Sequence, residues 1–268
     1  MSSLKPLLLH AHPTAPNPVK VAIALEILQI PYIVKIWEFN DGDRKGVKGS
    51  DFIQINPNGR VPALEDPNTD VTSWESGAIL NYLKRQYDTD NVLGAVDSSE
   101  QAKADLEAWE YLLVTTLGPF TGQVVWFKSV PICCVKRDLP RSLTTVRYYH
   151  QPKNDDAAAR YIKQVYRVYG VVEAQLKRSG GETILPGKFT TADIHYIPWM
   201  RSSAYIGLSL AEYPLLERWT KIMFDKPEVK RALQRIHDAT AEQEPEAAER
   251  GLKPDLNLMR QTGAQEVY

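Results

Sequence analysis

The chain has 268 residues, 43% of them apolar, with 32 Lys and Arg against 33 Asp and Glu and a formal net charge of −1. It can bury one large or two modest cores. Its near-neutral balance and pI near 6.5 exclude a protein built around a basic field for nucleic-acid phosphates.

No apolar run reaches the roughly 18 residues of a membrane span, so no membrane partner is expected. Met1-Ser2-Ser3-Leu4-Lys5-Pro6 leads straight into a strand-like run, unlike a signal peptide. The two cysteines, Cys133 and Cys134, are adjacent and make no disulfide framework. A reducing, cytoplasmic location is the expectation.

In chain order, Leu7 to Ala11 reads as a short buried strand. Thr14-Ala15-Pro16 turns into a helix, with Asn17 expected as N-cap and Pro18 at the first helical position. Apolar residues nearly surround this helix from Val19 to Leu28, which predicts burial, and Ile30-Pro31 ends it before a strand from Tyr32 to Phe39. A polar, glycine-dotted segment, Asp41 to Gly49, leads to the Asn56-Pro57-Asn58-Gly59 turn and a strand from Val61 to Leu64. A turn over Asp66 to Asp70 joins it to Val71-Thr72-Ser73-Trp74, and a helix from Ser76 to about Tyr87 follows. Strand-helix-strand followed by strand-strand-helix is the thioredoxin-like arrangement, assigned to residues 1–88.

The remainder reads helical, with a linker from Asp88 to Ser98 and an all-helical domain over residues 98–240. Ser98-Ser99-Glu100-Gln101 carries a capping-box pattern for a long helix, which Gly118-Pro119-Phe120 interrupts. Trp109 and Tyr111 are expected to pack, and Cys133-Cys134 to lie in an inter-helix connection. Asp156 to Arg178 is amphipathic, with Ile162, Val165, Val168, Tyr169, Val172 and Leu176 at helical spacing. Thr190-Thr191-Ala192-Asp193 is a second capping signal and heads a buried helix. Helices around Leu215 to Phe224 and Glu228 to His237 precede a charged tail from about Ala239, taken as residues 241–268, expected to be mobile or loosely docked.

Two pairs carry the chemistry. A cis bond at Val61-Pro62 would expose the valine N–H and C=O to a peptide-like ligand, and X-Pro bonds alone make cis inexpensive. The same pair in trans would be only a strand start. Glu75-Ser76 opens a helix whose free N–H groups and positive end suit a carboxylate, although Glu75 could also be an ordinary solvated side chain. Together they describe a slot for a small, extended, anionic peptide. His10 and His12 alternate along a strand without a thiol or acidic ligand beside them, so no metal is expected.

With these elements in this order, the chain resembles the cytosolic glutathione transferases. Ala15-Pro16-Asn17, Asn56 to Leu64, Trp74 to Ile79 and Val168 to Glu173 look like the fungal class related to the yeast nitrogen-regulator protein. The resemblance implies glutathione as co-substrate or cofactor and no metal. Ser76 would then take the γ-glutamyl carboxylate, Glu75 the α-amino group and Val61, held by Pro62 and flanked by Arg60, the cysteinyl backbone. Lys48, or failing that Arg44 or Lys45, would meet the glycine carboxylate, unless these cations merely keep a loop solvated.

Many relatives place Ser or Cys just before the first-helix proline, where this chain has Ala15. Asn17 is therefore the candidate to stabilise the thiolate with its amide N–H₂, with Thr14 second, while an ordinary helix-cap role for Asn17 stays open. His12, Phe120, Gln123, Trp126 and Phe127 are the candidate walls for a small apolar electrophile. The resemblance further implies a homodimer. It leaves open conjugation, isomerisation of a double bond by thiolate addition, bond rotation and departure of the thiolate, and a regulatory protein that binds glutathione without transfer. The thioredoxin-like unit begins almost at Met1 with no long Asn/Gln-rich extension, which favours an enzyme.

Overall fold

The computed structural model describes residues 4–39, 46–128 and 154–244. Strand β1 (Leu7–Ala11) pairs in parallel with β2 (Tyr32–Ile36) and antiparallel with β3 (Ala63–Asp66), which pairs with β4 (Val71–Trp74), so the order is β2-β1-β3-β4. Parallel neighbours need a crossover, and α1 (Pro16–Ile27) supplies it. Alternation along β1 separates two environments. Leu7, Leu9 and Ala11 enter the main core with α1 and with Ile79, Leu80 and Leu83 of α3 (Ser76–Tyr87). His10 turns to the other face against Trp37 and Phe52, the latter on the short α2 (Ser50–Ile53). Both His10 nitrogens are engaged there, Nδ1 accepting from Trp37 Nε1 at 2.8 Å and Nε2 standing 2.7 Å from Glu65 Oε1.

The helical part begins with α4 (Glu100–Leu112), where the Ser99 hydroxyl accepts from the Ala102 N–H at 3.1 Å. It continues into α5 (Gly118–Lys128), then α6 (Asp155–Ser179), α7 (Thr191–Tyr205), α8 (Pro214–Asp225) and α9 (Pro227–Gln243). The predicted stripe of α6 is buried at Val165, Val168, Tyr169, Val172 and Leu176, and the helix ends at Gly180 with φ +95°. Helix α7 is buried around its first turns and packs on α1, α4, α5 and α8. Its start is a complete capping box: the Thr190 hydroxyl accepts from the helix, and the Asp193 carboxylate accepts from the Thr190 N–H at 3.0 Å. Asp193 also accepts from the Ile184 N–H at 2.9 Å and Trp219 Nε1 at 3.1 Å.

Several expectations need correction. Helix α1 starts at Pro16, with Ala15 as N-cap and no side-chain capping bond, so Asn17 is its second residue and not its cap. Pro16 and Pro18 lack N–H groups, which removes two of the donors that a cap would serve. Strand β2 stops at Ile36 rather than Phe39, because β1 ends at its partner Ala11. Strand β3 starts at Ala63, two residues after Val61. Gly118-Pro119 does not break the long helix: a π-helical turn, Leu113–Leu117, connects α4 to α5. Proline crowds the carbonyl four residues back, and a wider turn relieves that contact. Trp109 packs against Tyr196, with ring centroids 6.5 Å apart, but Tyr111 is 57% exposed.

Helix α9 runs past His237 to Gln243, whose side chain accepts from the Ile36 N–H and donates to the Val34 carbonyl. A side-chain amide thus occupies the open edge of β2, which would otherwise present unpaired backbone groups. Arg44, Lys45, Cys133, Cys134 and the tail beyond residue 244 lie outside the described residues.

Candidate active site

The turn before Val61 is built by Asn56, which is buried at 1% exposure. Its Nδ2 donates to the Arg60 carbonyl at 2.5 Å and its Oδ1 accepts from the Asn58 N–H at 2.9 Å. Gly59 completes the turn at φ +60°, where a Cβ would lie 2.8 Å from the Val47 carbonyl oxygen. The Lys48 ammonium lies across this turn and donates to the Asn58 carbonyl at 2.9 Å, while Arg60 is exposed. The Val61-Pro62 bond is cis. Val61 packs in one small cluster with Ala15, Trp37 and Phe52, which brings the start of α1 beside it.

At the head of α3, Glu75 is exposed with φ +69°. That backbone costs a non-glycine residue roughly 1–3 kcal/mol and is concentrated at ligand-gripping positions. Ser76 is buried, and its hydroxyl accepts from the ammonium of Lys20 in α1 at 3.5 Å. Lys20 is 1% exposed. Burial pushes its pKa down to about 7, against the field of Glu75, which opposes the shift.

Helix α7 closes this cluster from the helical side. Trp199 Nε1 donates to Asn17 Oδ1 at 3.3 Å, and the Lys20 ammonium stands 5.9 Å from the Trp199 ring centroid. Gly118 permits the approach of α5, since a Cβ there would sit 3.2 Å from Trp199 Cζ2. His195 lies beneath the α3 start, its Cε1 3.9 Å from where a Gly77 Cβ would be, and its Nδ1 has no hydrogen-bond partner among the described residues. Burial first, then the positive charges of Lys20 and Lys84, hold its pKa well below the usual histidine range, so it is neutral.

The hydrogen bond from Trp199 orients the Asn17 side chain. With its carbonyl turned to the indole, its N–H₂ is directed away from Trp199, at the first turn of α1. Thr14 is committed differently: its N–H and hydroxyl lie 3.2 and 3.0 Å from His12 Nδ1. Burial pushes the His12 pKa down to about 3, and the neutral ring stacks on Phe39 at 3.8 Å.

The aromatic candidates divide. Phe120 and Phe127 pack against Tyr161 of α6, with centroids 5.9 and 5.8 Å apart. Gln123 is exposed and Trp126 is 41% exposed. Helix α5 meets the Asn17 cluster through Gly118 at its start, and these four side chains lie further along it. A surface hollow of about 400 Å³ between Ile27, Val92, Phe189 and Lys226 shares no residue with the cluster.

Three members of the cluster, Lys20, His195 and Trp199, are absent from the sequence-based candidates. One signal was present: Lys20 is a lysine inside a helix predicted to be buried nearly all round. For the α7 residues the capping motif announced a buried helix but not which of its side chains would reach α1.

Comparison with known proteins finds two family models in the chain. The family model for the glutathione S-transferase N-terminal domain matches residues 5–85, and that for the glutathione S-transferase C-terminal domain matches residues 139–227. The glutathione S-transferase-like protein tpcF of Aspergillus fumigatus is 34% identical over 236 residues, covering 84% of this chain and 94% of that protein. Protein URE2 of Meyerozyma guilliermondii is 32% identical, covering 84% and 78%. Among solved structures, the Phanerochaete chrysosporium glutathione transferase URE2P8 with oxidized glutathione aligns with a TM-score of 0.73 at 28% identity, covering 90% of this chain and 99% of that one. Ure2p in complex with glutathione aligns with a TM-score of 0.72 at 32% identity, covering 87% and 100%.

Proposed function

Because the chain belongs to the glutathione S-transferase family, we propose that it binds glutathione between the starts of α1 and α3 and activates the thiol for attack on a small apolar electrophile. The observation that carries this reading is the convergence of Ala15, Asn17, Val61 and Ser76 from segments far apart in sequence, with the Asn17 N–H₂ left for a ligand. The γ-glutamyl carboxylate docks on Ser76 and the free N–H groups of α3, its α-amino group faces Glu75, and the cysteinyl backbone pairs with Val61. Lys48, or failing that Arg44 or Lys45, supplies the cation for the glycine carboxylate, beside Arg60.

A free thiol has a pKa near 8.5, so the task is to hold it ionised. The Asn17 amide and the positive end of α1 both favour the thiolate. Sulfur then bonds to an electrophilic carbon as that carbon's leaving group departs with its electron pair, or as a conjugated alkene accepts the electrons. The thiol proton passes to solvent or to the γ-glutamyl carboxylate. His12 and the α5 side chains Phe120, Gln123, Trp126 and Phe127 are the proposed electrophile wall. The active form is a cytoplasmic homodimer in this reading, for which exposed Trp74 and Tyr111 offer apolar surface.

Retention on immobilised glutathione tests the binding step. Wild type should be retained and eluted by free glutathione, and Ser76→Ala and Glu75→Ala should each weaken binding by roughly tenfold or more. A wild-type protein that passes through unretained would overturn the assignment. Product analysis tests the transfer step: a stable adduct supports conjugation. Ala15 and the identity to URE2 favour a second reading, a glutathione-binding protein without transfer. Retention with no turnover of any electrophile would select it.

A further inference from the structure

Among the described residues no carboxylate is hydrogen-bonded to the buried ammonium of Lys20. Its single hydrogen bond among the described residues is the long one to a neutral hydroxyl, Ser76 Oγ at 3.5 Å. An ammonium removed from water costs several kcal/mol unless a counter-charge meets it, and the charges around Lys20 do not supply one. On α3, Glu75 is exposed and acts only through its field, while Lys84 is itself a cation, paired with Glu110 at 3.1 Å. On α7, His195 is neutral and Trp199 offers only the face of its ring. On α1 itself, Asn17 is uncharged.

Lys20 also points at the N-terminal end of the twelve-residue helix α3, which carries partial positive charge of its own. Two positive features therefore converge on one hydroxyl. They repel each other unless an anion lies between or beside them.

We infer that Lys20 is a recognition residue for a ligand carboxylate, acting through Ser76, whose hydroxyl accepts from the buried ammonium and donates to the anion outside. The identity of that anion as the γ-glutamyl carboxylate rests on the glutathione reading. The hydroxyl is suited to the relay because it can accept and donate at once, and the helix N–H groups complete the carboxylate's shell. One consequence separates Lys20 from a merely structural lysine. With the empty-site pKa at about 7, part of the population is neutral near physiological pH, and an anion next to Ser76 favours the charged form. Ligand binding then takes up a proton.

The test is titration calorimetry of the full chain with S-hexylglutathione, a probe with no free thiol to release a proton, in two buffers of unlike ionisation enthalpy. At about pH 7.5 the expected result is a net uptake of a substantial fraction of a proton per ligand, shrinking as the pH is lowered. The analogue whose γ-glutamyl carboxylate is amidated should bind at least tenfold more weakly with no uptake, and Lys20→Met should show the same two losses with S-hexylglutathione.

Binding of S-hexylglutathione without proton uptake overturns the role of Lys20 and leaves the glutathione reading standing. Uptake that persists in Lys20→Met, or with the amidated analogue, assigns the proton to another group and also overturns it. Failure of wild type to bind S-hexylglutathione at all overturns both. Should Lys20→Met not fold, the wild-type uptake and its loss with the amidated analogue decide.

Discussion

Asn17→Ala should raise the pKa of the bound glutathione thiol by up to about two units, toward the 8.5 of a free thiol, with the positive end of α1 retaining part of the stabilisation. The full shift corresponds to about 2.7 kcal/mol of lost thiolate stabilisation. The physical basis is the committed orientation of the amide. Trp199 Nε1 donates to Asn17 Oδ1 at 3.3 Å, which turns the N–H₂ away from the indole and, in the proposed complex, toward the thiol. The amide has no capping duty to perform, because α1 starts at Pro16 with Ala15 before it.

Ultraviolet absorbance of the bound thiolate against pH measures this directly. Trp199→Phe keeps the ring and removes the donor, so its thiol pKa should fall between those of wild type and Asn17→Ala. Asn17→Asp, which places a carboxylate beside the sulfur, should raise it further than alanine does. Identical titrations near 8.5 in wild type and Asn17→Ala would show that Asn17 does not activate the thiol. Thr14→Val is the matching control: its hydroxyl is held by His12, so the thiol pKa should stay close to wild type.

The largest loss of stability is expected from Asp193→Ala. The carboxylate accepts from the Ile184 N–H, the Thr190 N–H and Trp219 Nε1, and all three donors are buried. Burial pushes the Asp193 pKa up to about 6, and these same hydrogen bonds limit the rise. Removing it leaves three buried donors unpaired, at about 1–3 kcal/mol each, and deletes half of a capping box.

Because such losses are not additive, about 4 kcal/mol is expected in urea unfolding, with the midpoint lowered and the slope little changed. Asp193→Asn keeps one acceptor oxygen and should lose less. A loss below about 1 kcal/mol for Asp193→Ala would mean that water or a rearranged α7 replaces the carboxylate. Activity should fall only with the folded fraction, since the Asp193 carboxylate bonds Ile184, Thr190 and Trp219 rather than the residues of the site.

The strands, the order of the longer helices and the capping signals ahead of α4 and α7 were legible because each signal is local, although α4 has the single Ser99 cap bond and α7 the complete box. A turn such as Asn56 to Gly59 is set by residues within four positions, and the stripe of α6 by its own 3.6-residue period. Boundaries were less so. The extent of β2 depends on where β1 stops, and the reach of α9 depends on the docking of Gln243 at the sheet edge. At the start of α1 the Asx rule pointed to Asn17 as cap, but flanking prolines had removed the donors a cap would serve. The π-helical turn ahead of Pro119 absorbed a proline that sequence rules treat as a break.

The sequence alone determined the family resemblance, the thioredoxin-like and helical halves, and the Val61-Pro62 and Glu75-Ser76 pairs, because motif order and local propensity are written within short windows. The tertiary structure decided which way the Asn17 amide faces, and that Lys20 is buried with no carboxylate bonded to it among the described residues. Those properties depend on a tryptophan 182 positions from Asn17 and a serine 56 positions from Lys20. No local pattern encodes such pairings, since hydrogen-bond direction and the loss of water around a charge exist only after the two halves have packed.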